Sequence, residues 1–228
     1  MSWLQVHFLA TGGMAALPPA LAACLPLAEH ERALTLRRPQ DRINRLAAYA
    51  ALFRLVAAHT GLPAHELALQ RDAHGKPHLQ LPAGHAPLHV NLAHSGTWVA
   101  IALADGPVGV DIERVRTLDW RALRRAHFAN DPWPDDADPL LALHQLWCSK
   151  EAVLKAAGMG LTLPLSQIVL YPPAQQFQHL RASPEDSGLE RLQVALLAAP
   201  AGYAAAVAMA EPPGQLSVRR WVLGDDFG

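Results

Sequence analysis

The chain has 228 residues, 51% of them apolar and 17% charged, with 19 Lys and Arg set against 20 Asp and Glu. That apolar content fills a sizeable core, and the length suits one large domain or two of about 100 residues. A formal charge of −1 excludes a strongly basic nucleic-acid binder and an acidic disordered chain, so any bound anion must be held by a local cluster.

Residues 5–9 predict a short opening strand. Residues 1–28 carry no Lys, Arg, Asp or Glu. They lack the positive start of a signal peptide, and Pro18, Pro19 and Pro26 interrupt their apolar run. A helix is predicted over 40–59, where Ile43, Leu46, Ala47, Ala50, Phe53, Leu55 and Val56 recur near helical spacing and Gly61-Leu62-Pro63 stops it. A strand follows at 67–71, then a turn over 72–77 that Pro77 ends. Strands at 90–93 and 98–103 flank the turn His94-Ser95-Gly96, and a strand at 108–112 follows the break Asp105-Gly106-Pro107. A polar, Pro-rich loop occupies 130–139. The second strong helix spans 140–157 and ends at Gly158 and Gly160. Beyond it, β-like runs at 168–170, 194–197, 204–209 and 216–223 alternate with Pro and Gly turns. The uncharged stretch 192–210 is divided by Pro200-Ala201-Gly202 and reads as a buried hairpin rather than a membrane span. Cys24 and Cys148 lie far apart in apolar settings and read as reduced core thiols. These features predict a soluble, cytoplasmic α+β protein with two similar halves, each a small sheet packed on a long helix.

Four segments carry chemistry. In Gly109-Val110-Asp111-Ile112-Glu113, strand alternation points Asp111 and Glu113 to one face and sends Val110 and Ile112 into the core. Paired carboxylates repel unless a cation lies between them, and hard oxygen ligands suit Mg²⁺; two surface acids at a strand end are the plain alternative. In Trp147-Cys148-Ser149-Lys150-Glu151-Ala152-Val153-Leu154-Lys155, Glu151 and Lys155 stand four apart on one edge of the helix. Lys150 falls inside the apolar stripe, where an ammonium requires an anionic partner. The turn Arg71-Asp72-Ala73-His74-Gly75-Lys76-Pro77 suits a phosphate group, although such turns are common on surfaces. Asn91-Leu92-Ala93-His94-Ser95-Gly96 places Asn and His between apolar strands, where one histidine among 12 is equally a structural group.

Together, in this order, the four segments resemble the 4′-phosphopantetheinyl transferase superfamily in its longer, pseudo-dimeric Sfp-type branch. The resemblance runs from about Glu31 to Leu170 and rests on Gly75-Lys76-Pro77, Asn91–Ser95, Gly109–Glu113, Trp147–Lys155 and the following Gly158-Met159-Gly160-Leu161. It implies two α/β subdomains related by a pseudo-two-fold: residues 1–106 with the coenzyme A nucleotide contacts, and 107–228 with the metal-binding carboxylates and the carrier-protein side. It also implies transfer of the 4′-phosphopantetheine arm of coenzyme A to a serine of an apo acyl or peptidyl carrier protein, releasing 3′,5′-ADP. By the same resemblance Asp111, Glu113 and Glu151 bind Mg²⁺ (or Mn²⁺), Glu151 is the general base, and Lys155 contacts the phosphates. Arg32, Arg71, Lys76, Asn91 and His94 then contact coenzyme A. Ala93 stands where the family has a serine.

Two rival functions are another Mg²⁺-dependent enzyme acting on nucleotides or phosphate esters, and a non-catalytic carrier-protein binder. Carrier contacts are expected around 117–139, where Trp120, Phe128 and Trp133 sit among Arg121, Arg124 and Arg125. A solvated helix explains the same arginines equally well. No nucleic acid and no membrane is expected as a partner. The two halves supply within one chain what a homodimer would provide, so a monomer is expected.

Overall fold

A computed structural model of the chain describes residues 2–72, 77–133, 137–160 and 163–222. Its strands are β1 (Trp3–Ala10), β2 (Ala68–Arg71), β3 (Pro77–Gln80), β4 (His89–Ser95), β5 (Trp98–Ala104), β6 (Val108–Arg114), β7 (Gln178–His179), β8 (Gln193–Leu196), β9 (Tyr203–Met209) and β10 (Gln215–Val222). Its helices are α1 (Pro19–Ala22), α2 (Leu27–Leu34), α3 (Pro39–Thr60), α4 (Trp120–His127) and α5 (Pro139–Ala157). Mixed α+β architecture follows, with two sheets each packed against helices.

The first sheet has the order β10-β1-β5-β4 and the second β6-β9-β8-β7, while β2 and β3 form a separate hairpin. β1 runs antiparallel to β5 and parallel to β10, so the last strand of the chain returns to the first sheet. Trp221 on β10 donates its indole N–H to His7 Nδ1 on β1 at 2.8 Å. Burial, assisted by the charge of Arg219, lowers the His7 pKa to about 4, which keeps that nitrogen a lone-pair acceptor at neutral pH.

Three apolar clusters explain the layering. Buried residues of α3, including Ala47, Ala51, Leu52 and Val56, pack with Val99, Ile101 and Leu103 of β5. On the other side of β5, Ala100, Ala102 and Ala104 join Val6 and Phe8 of β1 and Val108, Val110 and Ile112 of β6. Small alanine side chains let the sheets approach each other, and the alternation along β5 puts a helix on one face and a sheet on the other. Leu143, Leu146, Val153 and Leu154 of α5 close a third cluster with Ala204, Ala206 and Ala208 of β9. The hairpin expected in 192–210 is present, with Gly202 at φ 78° in its turn. No helix among the described residues is long and apolar enough to cross a membrane.

Two expectations are corrected. Among the described residues, 168–170 form no strand and make a single β-bridge, Val169 to Ala182. Pro77 opens β3 and pairs with Arg71 at the end of β2, and the expected turn between them falls on residues 73–76, outside the described residues. Phe128, expected among surface aromatics, is fully buried beneath α5.

Gly109 sets the position of the site. A Cβ on it would press into the Ala152 carbonyl oxygen and the Ala156 amide nitrogen, and would lie 2.9 Å from the Lys155 carbonyl carbon. Only glycine lets β6 lie directly on the α5 backbone. Gly109→Ala is therefore expected to destabilise the fold by about 3 kcal/mol or more, the range of severe overpacking. Urea unfolding followed by circular dichroism measures this; an unchanged midpoint would contradict the packing account.

Candidate active site

β6 carries Asp111 and Glu113, and α5 carries Glu151 and Lys155, so the Gly109 contact brings the two acidic segments together. Asp111 is 5% exposed. Its Oδ1 accepts from Lys155 Nζ at 2.6 Å, and the same ammonium donates to the Val110 carbonyl at 3.3 Å. Its Oδ2 is buried and, among the described residues, has no hydrogen-bond partner. Burial alone would lower the Lys155 pKa, but the Asp111 carboxylate outweighs it and raises the value, so the ammonium is retained.

Glu113 is fixed from the first sheet. Ser95, the last residue of β4, donates its hydroxyl to Glu113 Oε2 at 2.6 Å and accepts the Arg114 N–H at 3.0 Å. Burial raises the Glu113 pKa, opposed by the Ser95 hydrogen bond and reinforced by the charge of Asp111. Burial also raises that of Glu151, with Asp111 and Glu113 adding repulsion and Lys155 opposing it. Glu151 thus feels both other acids, and Glu113 feels Asp111.

Among the described residues, no group of three His, Cys, Asp or Glu side chains could hold a metal ion unaided. Lys155 takes one oxygen of Asp111 and Ser95 takes one of Glu113, so the acids expected to converge do not form a closed ligand set. They nevertheless fit a divalent cation. The orphaned Asp111 Oδ2 is a hard oxygen donor beside two acids held partly against their ionised form, and Mg²⁺ needs only one or two carboxylates when phosphates complete its shell.

Lys155 also lines a cavity of about 330 Å³ together with Arg45, Tyr49, Arg71, Asn91, His94 and Gly158. Four residues singled out from the sequence (Arg71, Asn91, His94 and Lys155) thus share one wall system. Arg32 is paired with Glu29 at 3.1 Å on α2 and does not line this cavity. Lys76, along with Gly75, lies outside the described residues. Asn91 is buried, and its Oδ1 accepts the Val110 N–H at 2.9 Å, pinning β4 to β6 one residue before Asp111. His94 is exposed at the cavity mouth; partial desolvation lowers its pKa, with Asp41 opposing and Lys155 and Arg45 adding to the shift.

Sequence reasoning missed Arg45, Tyr49 and Ser95. A basic–aromatic pair four residues apart on a helix, and a serine closing the Asn91–Ser95 segment, were the available signals. It did find that Lys150 needs an anion. Lys150 is fully buried, and its ammonium donates to Asp131 Oδ2, to the His127 carbonyl at 3.2 Å and to the Leu165 carbonyl at 3.1 Å. It also lies 4.7 Å from the Phe128 ring centroid. This lysine ties the loop after α4 to α5, and it takes no place in the cavity.

Residues 19–105 match the family described as 4′-phosphopantetheinyl transferase, N-terminal, and residues 107–208 match the 4′-phosphopantetheinyl transferase superfamily. Over 175 residues the chain is 30% identical to a Synechocystis sp. protein provisionally named a 4′-phosphopantetheinyl transferase, covering 72% of this chain and 69% of that one. It is 35% identical over 112 residues to the 4′-phosphopantetheinyl transferase psf-1 of Bacillus pumilus, 46% of each chain. It is also 35% identical over 82 residues to the 4′-phosphopantetheinyl transferase Sfp of Bacillus subtilis strain 168, 34% of this chain and 36% of that one. The chain spans about half the length of the Bacillus and Aneurinibacillus relatives it matches. The chain belongs to the 4′-phosphopantetheinyl transferase superfamily.

Two outcomes follow from the site. Lys150→Ala leaves Asp131 buried without its cation and is expected to cost about 3–5 kcal/mol of stability in chemical denaturation; a loss below about 1 kcal/mol would show that the pair is dispensable. Glu113 and Glu151 are raised above 4.5 in the folded chain, which therefore binds more protons than the unfolded one. Their contribution favours folding at low pH and is lost as pH rises from 4.5 through the raised native values. In thermal melts across this window, Glu113→Gln should flatten the fall in stability relative to wild type, and a parallel curve would contradict the shift.

Proposed function

We propose that this chain transfers the 4′-phosphopantetheine arm of coenzyme A to a serine hydroxyl of an apo acyl or peptidyl carrier protein, releasing 3′,5′-ADP. The observation that carries this reading is the placement of Lys155. It lines the cation-walled cavity and at the same time bonds Asp111 of the carboxylate cluster. A polyanion lying in the cavity meets Arg45, Arg71 and Lys155 in turn, and its far phosphate reaches the acids. Family membership supports the same chemistry.

Asp111, Glu113 and Glu151 would hold Mg²⁺, or Mn²⁺ in its place, together with the pyrophosphate of coenzyme A. When bound, the ion neutralises charge on phosphate oxygens and draws the pyrophosphate to the carboxylates. Glu151 is the general base in this mechanism. It would accept the proton of the incoming serine hydroxyl. The serine oxygen bonds to the phosphorus carrying the pantetheine arm, and the bond from that phosphorus to the 3′,5′-ADP oxygen breaks. Lys155, kept cationic by Asp111, stabilises the growing charge on the departing phosphate. Asn91 and Ser95 keep the two sheets in register around these groups. No covalent enzyme intermediate enters; the buried Cys148 thiol, its pKa pushed well up by burial, is unsuited to be a nucleophile.

The carrier side is read at α4. Trp120 and Trp133 stack at 5.8 Å, with Arg121 and Arg124 over their rings at 4.5 and 4.7 Å. Beside them a cavity of about 240 Å³ is lined by Leu118, Leu123, Leu143 and Trp147 together with the polar Glu113, Arg116 and His144. A largely apolar recess that reaches an acid of the cluster suits a serine-bearing surface, and the arginines suit an acidic one. Dependence on a carrier protein sets this function apart from a general phosphate-ester enzyme.

Incubation with coenzyme A, Mg²⁺ and an apo carrier protein, read by intact mass, should add one phosphopantetheine arm to the carrier. Glu151→Gln should abolish the transfer with the melting curve retained, and excess chelator should stop the wild type. Near-normal loading by the variant, or turnover of nucleotides without any carrier, would contradict the assignment.

A further inference from the structure

α2 is turned against its own amphipathy. Leu27 and Leu34 are 73% and 70% exposed, while Glu29 between them is 3% exposed. A buried carboxylate costs free energy unless cations meet it, and three do here. Glu29 accepts from Arg45 Nη2 at 2.7 Å, Arg71 Nη2 at 2.9 Å and Arg32 Nη1 at 3.1 Å. Arg71 also donates to the Tyr49 hydroxyl at 2.8 Å. The Arg45 and Arg71 guanidinium carbons lie 5.0 and 5.2 Å from the Tyr49 ring centroid. Burial would raise the Glu29 pKa, but the bonds and charges of Arg71 and Arg45 hold it below the usual carboxylate range.

The arrangement spans α2, α3 and the end of β2, and its two better-buried arginines both line the 330 Å³ cavity. Two guanidinium groups side by side repel, and without a shared anion each would swing toward water. Glu29, buried between α2 and α3, supplies that anion. Among the described residues the Nε of Arg45 is buried without a hydrogen-bond partner.

We propose that Glu29 is a positioning residue of the cavity: with Tyr49 it holds Arg45 and Arg71 as a preorganised pair of cations for the phosphate groups of the nucleotide substrate. The proposal rests on the coenzyme A reading above. Its signature is a sign. Removing a negative charge beside an anion site strengthens anion binding by Coulomb's law alone. Removing the group that fixes the two arginines weakens it, because the ordering cost then falls on the ligand.

Isothermal titration of coenzyme A into wild type, Glu29→Gln and Glu29→Asp decides between these, with thermal melts establishing that each is folded at the titration temperature. Wild type should bind, and Glu29→Gln should bind roughly tenfold or more weakly. Glu29→Asp keeps the charge but is too short to bridge both arginines, so it should also bind more weakly; it serves if the Gln variant does not fold. In turnover the KM for coenzyme A should rise with kcat within about twofold, a split that general loss of structure does not produce. Binding by a folded variant as tight as wild type, or tighter, overturns the positioning role and leaves the coenzyme A reading standing. Failure of the wild type itself to bind coenzyme A overturns both.

Discussion

The rest of the site depends on the approach of β6 to the backbone of α5 at Gly109. A side chain there would meet the Ala152 carbonyl and the Ala156 amide, so the strand can lie on the helix only as glycine. Two residues along β6 comes Asp111, and one turn along α5 separates Glu151 from Lys155. The short distance between the elements is what converts these spacings into an ion pair of 2.6 Å and a set of mutually repelling acids. A strand set further from the helix would leave the same residues solvated and unremarkable in charge.

Electrostatically, the protein keeps its charges apart in two stations joined by one lysine. Around Glu29 three arginines meet one carboxylate, leaving a net positive wall. Around Asp111 three carboxylates meet one ammonium, leaving a net negative one. The formal total of −1 conceals this division. In the proposed function the two stations are complementary: a nucleotide polyanion satisfies the first, and a divalent cation carried with its pyrophosphate satisfies the second. The buried Lys150–Asp131 pair belongs to neither and acts as an anchor for the segment that follows α4.

Local pattern was legible and long-range pairing was not. The helices at 40–59 and 140–157 and the strand at 108–112 declare themselves by period and glycine stops, and the structure extends each by one or two residues. The need of Lys150 for an anion was readable from its place in an apolar stripe, but its partner, Asp131, sits in a polar loop with no sign of burial. Glu29 was invisible for the same reason: two of its three arginine partners lie 16 and 42 residues away, and its helix exposes leucines where a core is expected. The return of β10 to β1 was equally silent, because a strand's sequence states that it pairs, not with which neighbour. Of the residues singled out from the sequence, Arg71, Asn91, His94 and Lys155 line one cavity, while Glu29, Arg45 and Tyr49 around them were not anticipated.

In the proposed function Asp111 would anchor a divalent cation together with the phosphates of coenzyme A. Water-proton relaxation in the presence of Mn²⁺ reads this directly, since a bound, partly hydrated ion enhances relaxation. One Mn²⁺ site per chain is expected, tightened by coenzyme A and lost in Asp111→Asn. An Asp111→Asn protein that binds Mn²⁺ and responds to coenzyme A as the wild type does would contradict it.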